Sequence, residues 1–406
     1  MAVIVQKFGG TSVGSLERIE HVAQQIIKTK QQGHQVVAVL SAMSGETNRL
    51  TDLAVKLDPN PSARELDMLL ASGEQVSIAL LSIALIKRGY SAVSLLAHQI
   101  GMQTDNRFNK ARILNVDNQR MLQELQQGHI VIVAGFQGVD SEGNITTLGR
   151  GGSDTSAVAI ATALQAKECQ IFTDVDGVYT TDPRIDENAR KLPYVSFEEM
   201  LEMASSGAKV LQSRSVEFAG KHKMPLRVLS SFIEGEGTSI TFEQQADKKH
   251  PVSAITSHKD EALISANGVI HGEKFRSKLL TLLAKVDIEI DMLTQTAEHV
   301  NKINFSFTVH RNDYVQAMCI AKSLTTEFSV DELFGNNKVV KVSAIGNGMR
   351  SHAGVAAELF ECLFANNINV FLVSAAEIKI SVLVKEADLI RAVQILHKKF
   401  QLNTII

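Results

Sequence analysis

An apolar run of strand type, Val3-Ile4-Val5, passes through Gln6 to Lys7 and Phe8 and meets paired glycines, Gly9 and Gly10. Thr11, Ser12, Val13 and Gly14 follow, and a helical pattern begins near Ser15. A strand that ends at a lysine and turns on glycines into a helix reads as the opening of a βα unit. In an open α/β sheet that is where ligands bind. Backbone N–H groups at paired glycines, beside a fixed cation, make a cradle for phosphate. The same residues also fit an ordinary βα turn with a surface lysine, and this stretch alone does not separate the two.

The next segments repeat the pattern. Ser15 can cap a helix whose apolar positions Ile19, Val22, Ala23, Ile26 and Ile27 have helical spacing, and Gly33 ends it. Val36 to Leu40 reads as a buried strand running into the small-residue loop Ser41 to Gly45. Asp58 to Pro61 breaks the chain, a helix runs from about Ser62 to Leu70, and Ala71-Ser72-Gly73 interrupts before Glu74 opens an apolar helix over Val76 to Ile86. A strand over 89–95, a Gln-rich helix over 116–127 and a strand over 129–134 come next. The turn Ser141 to Asn144 makes a hairpin. It leads to Thr146-Thr147-Leu148-Gly149-Arg150-Gly151-Gly152-Ser153-Asp154, read as a loop before a helix over 157–164. A strand over 168–172 then ends in Thr173-Asp174-Val175-Asp176-Gly177-Val178-Tyr179. Ser196 caps a helix, Ser205 to Lys209 interrupts, and 225–229 is a further strand.

Composition shifts at 243–251, which is polar and charged and reads as a linker. Beyond it a βαββα pattern occurs twice, with strands near 263–265, 288–293 and 302–309 in the first copy and 340–346, 368–373 and 377–384 in the second. Neither copy carries a catalytic set, so a small-ligand or dimerisation module is expected.

At 406 residues the chain has room for two or three domains. A net charge of −3 gives no electrostatic case for nucleic acid or an anionic membrane. No leader and no apolar run long enough to span a bilayer is evident. Cys169, Cys319 and Cys362 fit no metal spacing and read as buried thiols of a reducing cytoplasm. There is no GxxxxGK[ST], no GxGxxG after a strand and no His/Asp/Ser set. What remains at strand ends is a lysine, glycines, an arginine, hydroxyls and aspartates. That inventory suits holding a polyphosphate with Mg²⁺ and transferring a phosphoryl group.

Four stretches together, VQKFGGTSVG at 5–14, LSAMSG at 40–45, TTLGRGGSDTSA at 146–157 and TDVDGVYTTDPR at 173–184, resemble the aspartate kinases of the amino acid kinase family. The resemblance covers essentially the whole chain. It implies an α/β fold, a mainly parallel sheet sandwiched by helices over 1–245, followed by two α+β ACT-like regulatory domains over 246–335 and 336–406. It implies phosphoryl transfer from ATP to the β-carboxylate of L-aspartate, the first step towards lysine, threonine and methionine. Residue by residue, Lys7 matches the lysine at the β/γ-phosphates, Gly9 and Gly10 the donors beside it, and Lys209 a second phosphate contact. Thr173, Asp174, Tyr179 and Arg184 match the nucleotide side. Ser41, Thr47 and Ser153 match the aspartate side, Glu74 the carboxylate that receives the α-amino group, and Arg150 the clamp on the α-carboxylate. Asp154 matches a residue that orients the lysines. Mg²⁺ is expected on the ATP phosphates, with no metal ligand from the protein. The resemblance also points to a regulatory set of Met292, Gln295, Ser351, Asn367 and Asn369, with lysine or threonine as effectors.

Taken singly, Glu74 is as readily a helix-start charge, Lys209 a surface lysine and Tyr179 a core residue; only their company assigns them. The regulatory half departs from the family pattern. Ser351-His352-Ala353-Gly354 stands where SHPG is usual, and Ile270 to Phe275 replaces a D-K-P-G-type loop. No methionine lies between Met224 and Met292 to start a separate small subunit, so a homo-oligomer, a dimer through the ACT domains, is expected. Two alternatives stay open: a silent sensor that kept the ACT pair, and an amino acid kinase with another acceptor.

Overall fold

The opening run becomes the strand Val3–Phe8 in the computed structural model, which describes residues 1–208, 210–242, 251–299, 302–352 and 354–404, without the side chains of 298, 299 and 351. Lys209 and all but the last residue of the expected linker lie outside the described residues. The chain forms two compact units. One is built from residues 1–178, 191–204 and 210–242, the other from 179–190, 205–208 and the described residues beyond 250.

The first unit is organised by an eight-stranded sheet. Its spatial order is Tyr194–Ser196, Thr238–Thr241, Leu226–Ser230, Glu168–Thr173, Val3–Phe8, Gln35–Leu40, Ile130–Ala134 and Ala92–Leu95. Every neighbouring pair is parallel except Leu226–Ser230 with Thr238–Thr241. In Gln35–Leu40 and Ile130–Ala134 the residues after Gln35 are apolar without alternation and all buried, because helices cover both faces. Register matters more for function. Phe8 pairs with Leu40 and with Phe172, Leu40 with Ala134, and Thr173 with Ser230. Five loops therefore leave the sheet at one level, as expected of a ligand-binding sheet edge.

The helices follow their sequence signals with informative exceptions. Ser15 caps Leu16–Gln31 by accepting from the Arg18 N–H at 3.3 Å. Ser196 and Glu199 form a capping box on Phe197–Ser205. The helix expected from residue 157 starts five residues earlier, as Gly152–Ala163, with Gly151 at φ +70° in front of it. Small polar residues suggested a loop there, but Gly151 supplies the left-handed turn that lets the helix begin. The Gln-rich helix is shorter than its pattern, Gln119–Gln126, and a further helix, Ser213–His222, fills a stretch left unassigned above. Ala63–Lys87 is long and apolar enough to resemble a membrane span, but it is two helices, Ala63–Leu70 and Ser72–Lys87, hinged at Ala71. It buries the carboxylates Asp67 and Glu74, and Ile78, Leu81 and Leu85 pack into the core of the first unit.

In the second unit the two βαββα sets share one antiparallel sheet of six strands, in the order Ile290–His299, Lys302–His310, Ala254–Ile270, Glu332–Ile345, Lys379–Lys385 and Val370–Ala375. The two middle strands are far longer than their apolar runs. Ala254 pairs with Ile345 and Asn267 with Glu332, so polar residues such as His258, Glu261 and Asn267 are held in the sheet by pairing, not by propensity. Helices Gly272–Lys285 and Tyr314–Leu324 cover one half, with Phe275, Phe305 and Phe307 in its core. Val355–Ala365 and Leu389–Lys399 cover the other, around Val340, Val382 and Leu396. On the alternate face of the strands Leu263, Met292, Val339, Leu372 and Leu383 form a small buried cluster common to both halves. Lys341, 3% exposed, contacts Asp291 and Glu261. Cys319 is exposed, not buried as its sequence suggested; Cys169 is buried and Cys362 half-buried, and all three are free thiols.

Candidate active site

The common level of the strand ends brings Lys7 to Asp154. The Lys7 Nζ lies 2.6 Å from the Asp154 Oδ1, with both side chains almost enclosed, at 12% and 10% exposure. Lys7 is the second-last residue of its strand, and Asp154 stands in the first turn of Gly152–Ala163. The lysine head lies over the next turn of chain: a Cβ on Gly9 would come within 3.4 Å of the Nζ. Gly9 thus keeps the space beside the cation open. Its own N–H donates to the Phe172 carbonyl at 3.4 Å, a long bond that a better acceptor can displace. Gly10 opens the short turn Gly10–Val13 and packs on Ala42 and Ser44, joining the first loop to the second.

Two residues that sequence reasoning did not single out hold this corner. Ser12 and Ser231, both fully buried, share a hydroxyl hydrogen bond of 2.6 Å. The Ser231 N–H donates to the Thr173 carbonyl at 2.8 Å, and the Arg18 guanidinium donates to the Ser231 carbonyl at 2.7 Å. Thr173 and the glycine turn are therefore linked through one serine pair. Ser12 lies inside the quoted KFGGTS stretch; Ser231 had no signal beyond following a strand.

On the other side of Lys7's loop stands Glu74, in the first turn of Ser72–Lys87 and only 3% exposed. Its Oε1 accepts from the Ala42 N–H at 3.0 Å, while its Oε2 is buried without a hydrogen-bond partner among the described residues. Burial pushes its pKa up to about 7, against the opposing pull of the Ala42 N–H. A buried carboxylate with one oxygen unmet is prepared for a cation. Ser41, whose N–H donates to the Phe8 carbonyl at 3.1 Å, is bound through its own carbonyl to the Ser77 hydroxyl at 2.8 Å. Thr47 lies half-buried in the first turn of Glu46–Leu57, just after Gly45. Ser153 packs directly on Gly135, at the end of Ile130–Ala134. Arg150 is exposed, with no ion pair among the described residues, between Gly149 and Gly151, both in the left-handed region. Lys7, Gly9, Gly10, Ser41, Glu74, Ser153, Asp154 and Thr173 thus lie on strand ends, loops and helix starts at one sheet edge.

The Thr173 hydroxyl donates to the Asp174 carboxylate at 3.0 Å, and Asp174 is exposed. Tyr179 and Arg184 belong to the second unit, where the Arg184 guanidinium meets Asp182 at 2.7 Å. Lys209 is not described. In the regulatory set, Met292 is buried in the cluster with Leu372, and the Gln295 side-chain carbonyl accepts from Arg276 at 2.9 Å. Asn367, at φ +54°, and Asn369 are exposed after the helix Val355–Ala365. The Ser351 side chain is not described.

Among the described residues no group of three His, Cys, Asp or Glu side chains is arranged to hold a metal ion. The sheet edge offers the Lys7 ammonium and backbone N–H groups, with the Asp154 carboxylate engaged by Lys7 and that of Glu74 by the Ala42 N–H.

Comparison with known proteins agrees with this architecture. Residues 2–230 match the Amino acid kinase family, and residues 342–400 match an ACT domain. The chain is 54% identical over 404 residues to an aspartate kinase of Pseudomonas putida, covering 99% of this chain and 98% of the relative. It is 53% identical over 405 residues to an aspartokinase of Pseudomonas aeruginosa, with the same coverage. Among solved structures, E. coli aspartokinase III in complex with aspartate and ADP superposes with a TM-score of 0.79 at 27% identity, over 98% of this chain and 99% of that one. With more than half its length matched by one family and near-complete alignment to these relatives, the chain belongs to the amino acid kinase family, as an aspartate kinase with C-terminal ACT domains.

Proposed function

We propose that the enzyme transfers the γ-phosphoryl group of ATP to the β-carboxylate of L-aspartate, giving 4-phospho-L-aspartate, the first step towards lysine, threonine and methionine through diaminopimelate. The observation that carries this reading is Glu74: a buried carboxylate with an unmet oxygen, across the glycine turn from the Lys7–Asp154 pair. Glu74 receives the α-ammonium of aspartate, Arg150 clamps its α-carboxylate in a bidentate pair, and Ser41, Thr47 and Ser153 line its side. ATP lies along Lys7, Gly9, Gly10, Thr173 and Asp174, with Lys209 as a further contact.

The chemistry needs little more. The nucleophile is an ionised carboxylate, so no general base is required. The barrier is that of an anion approaching an anion. Lys7 and Lys209 spread positive charge over the transferring group, and Mg²⁺ arrives on the phosphates as part of the substrate. Asp154 holds the Lys7 ammonium in place through its carboxylate.

The boundaries proposed are a catalytic part over 1–245 and ACT-like modules over 246–335 and 336–406. The ACT match, and a solved E. coli aspartokinase III in complex with lysine and aspartate, support feedback by lysine or threonine at a site drawn from Met292, Gln295, Ser351, Asn367 and Asn369. A homo-oligomer, a dimer through the ACT modules, and a cytoplasmic location complete the reading. The test is ADP release from Mg²⁺–ATP with L-aspartate, L-glutamate or no acceptor, then with lysine and threonine singly and together. Release that needs L-aspartate and falls with an effector supports the reading; release independent of aspartate contradicts it.

A further inference from the structure

Asp67 is fully buried in the helix Ala63–Leu70, yet no substrate role has been given to it. Its carboxylate is completely engaged by backbone and hydroxyl donors from two distant segments. The Asn109 N–H lies 3.0 Å from Oδ2 and 3.1 Å from Oδ1. The Thr147 N–H donates to Oδ2 at 2.7 Å, and the Thr147 hydroxyl to Oδ1 at 2.6 Å. Burial raises its pKa, and the bonds from Thr147 and Asn109 oppose the rise. A buried carboxylate held this way is costly to form, so the geometry it fixes is the place to look for its use.

Both segments bear on Arg150. Thr147 ends the short strand Ile145–Thr147, two residues before Gly149. Asn109, at φ +64°, presents its carbonyl to Gly149, where a Cβ would come within 2.9 Å. The arginine loop is thus seated on a platform that Asp67 ties down. Asp67's own helix ends at Ala71, where the next helix, carrying Glu74, begins. The Gln137 side chain, itself buried, donates to the Ala71 carbonyl at 3.1 Å and fixes that hinge.

The geometry points to Asp67 as a positioning residue for the amino acid acceptor: it braces the Arg150 loop against the helix break before Glu74, and so sets the separation of the carboxylate and ammonium receptors. This rests on the function proposed above. Asp67 touches no reacting atom. It acts on acceptor binding while the phosphate side, built on Lys7 and the Ser12–Ser231 pair, stands on other contacts.

The test measures KM for L-aspartate and KM for ATP in the full-length enzyme with Asp67→Asn and, separately, Thr147→Val, which removes one hydroxyl bond and keeps the backbone. Asp67→Asn is expected to raise KM for aspartate about tenfold, and Thr147→Val about threefold, with KM for ATP within about twofold of the parent. A parallel rise in both KM values, or no change in either, overturns the brace. Should Asp67→Asn fail to fold, the same split in Thr147→Val decides. The parent enzyme is the control: if it neither binds L-aspartate by calorimetry nor turns it over, the acceptor assignment has failed and the brace falls with it. A parent that uses aspartate alongside variants without the split refutes the brace alone.

Discussion

Lys7 on the central strand and Asp154 at the start of a later helix meet as an ion pair, Nζ to Oδ1 at 2.6 Å, where the parallel strands end together. The pair is nearly enclosed, so its value is orientation more than stability: the energy of two partly buried charges is largely offset by their desolvation. Lys7→Ala should lower kcat by about a hundredfold or more, the scale of removing one preorganised charge from a transferring group. Asp154→Asn, which leaves the lysine in place but untethered, should cost less. Steady-state kinetics with far-ultraviolet circular dichroism checks both. Near-parental turnover in folded Lys7→Ala would contradict the assignment.

Arg150 is exposed between two left-handed glycines, free to close on a ligand. Arg150→Ala should raise KM for aspartate by about tenfold or more while KM for ATP stays within about twofold. Arg150→Lys should recover little, because an ammonium cannot reproduce the two parallel bonds of a guanidinium. Initial rates against both substrates give the comparison.

Glu74 predicts a pH dependence with a definite sign. Its pKa is raised to about 7 by burial, and in the role proposed for it the ammonium of aspartate needs the ionised form. KM for aspartate should therefore climb as pH falls below about 7, approaching tenfold per unit. For stability the sign is opposite. The folded state holds the proton that the unfolded chain releases near 4.5, so Glu74's contribution to stability is fully present at low pH and declines as pH rises from about 4.5 to about 7. Glu74→Gln should flatten the KM profile and remove that decline in a series of melting curves.

Gly151 offers a test of the helix start. At φ +70° a side chain is strained, and a Cβ would fall 1.9 Å from the Gln212 Cγ and 2.6 Å from its Cβ. Gly151→Ala should destabilise by about 1–3 kcal/mol and weaken aspartate binding, because Arg150 and Ser153 flank it. Thermal melting together with KM measurement shows both effects.

Much of this site was legible because its chemistry is local in sequence. Lys7 with its glycines, Arg150 between glycines, and Ser153 with Asp154 each carry their meaning in a few residues. Glu74 was legible as a residue but not as an environment; only burial shows that its second oxygen is unmet. Ser231 and Asp67 were not legible at all. A serine after a strand and an aspartate on an amphipathic helix read as solvent-facing, and tertiary contacts alone bury them. The long strands Ala254–Ile270 and Glu332–Ile345 were read short for a related reason, since mutual pairing holds polar stretches that have little strand propensity of their own.

The acceptor proposed is the β-carboxylate of L-aspartate. Hydroxylamine intercepts an acyl phosphate as a stable hydroxamate, so incubation with Mg²⁺–ATP, L-aspartate and hydroxylamine tests it most directly. The expected result is aspartyl hydroxamate from the parent enzyme, little from L-glutamate, and almost none after Lys7→Ala. Hydroxamate from L-glutamate or another acceptor, with none from L-aspartate, would contradict it.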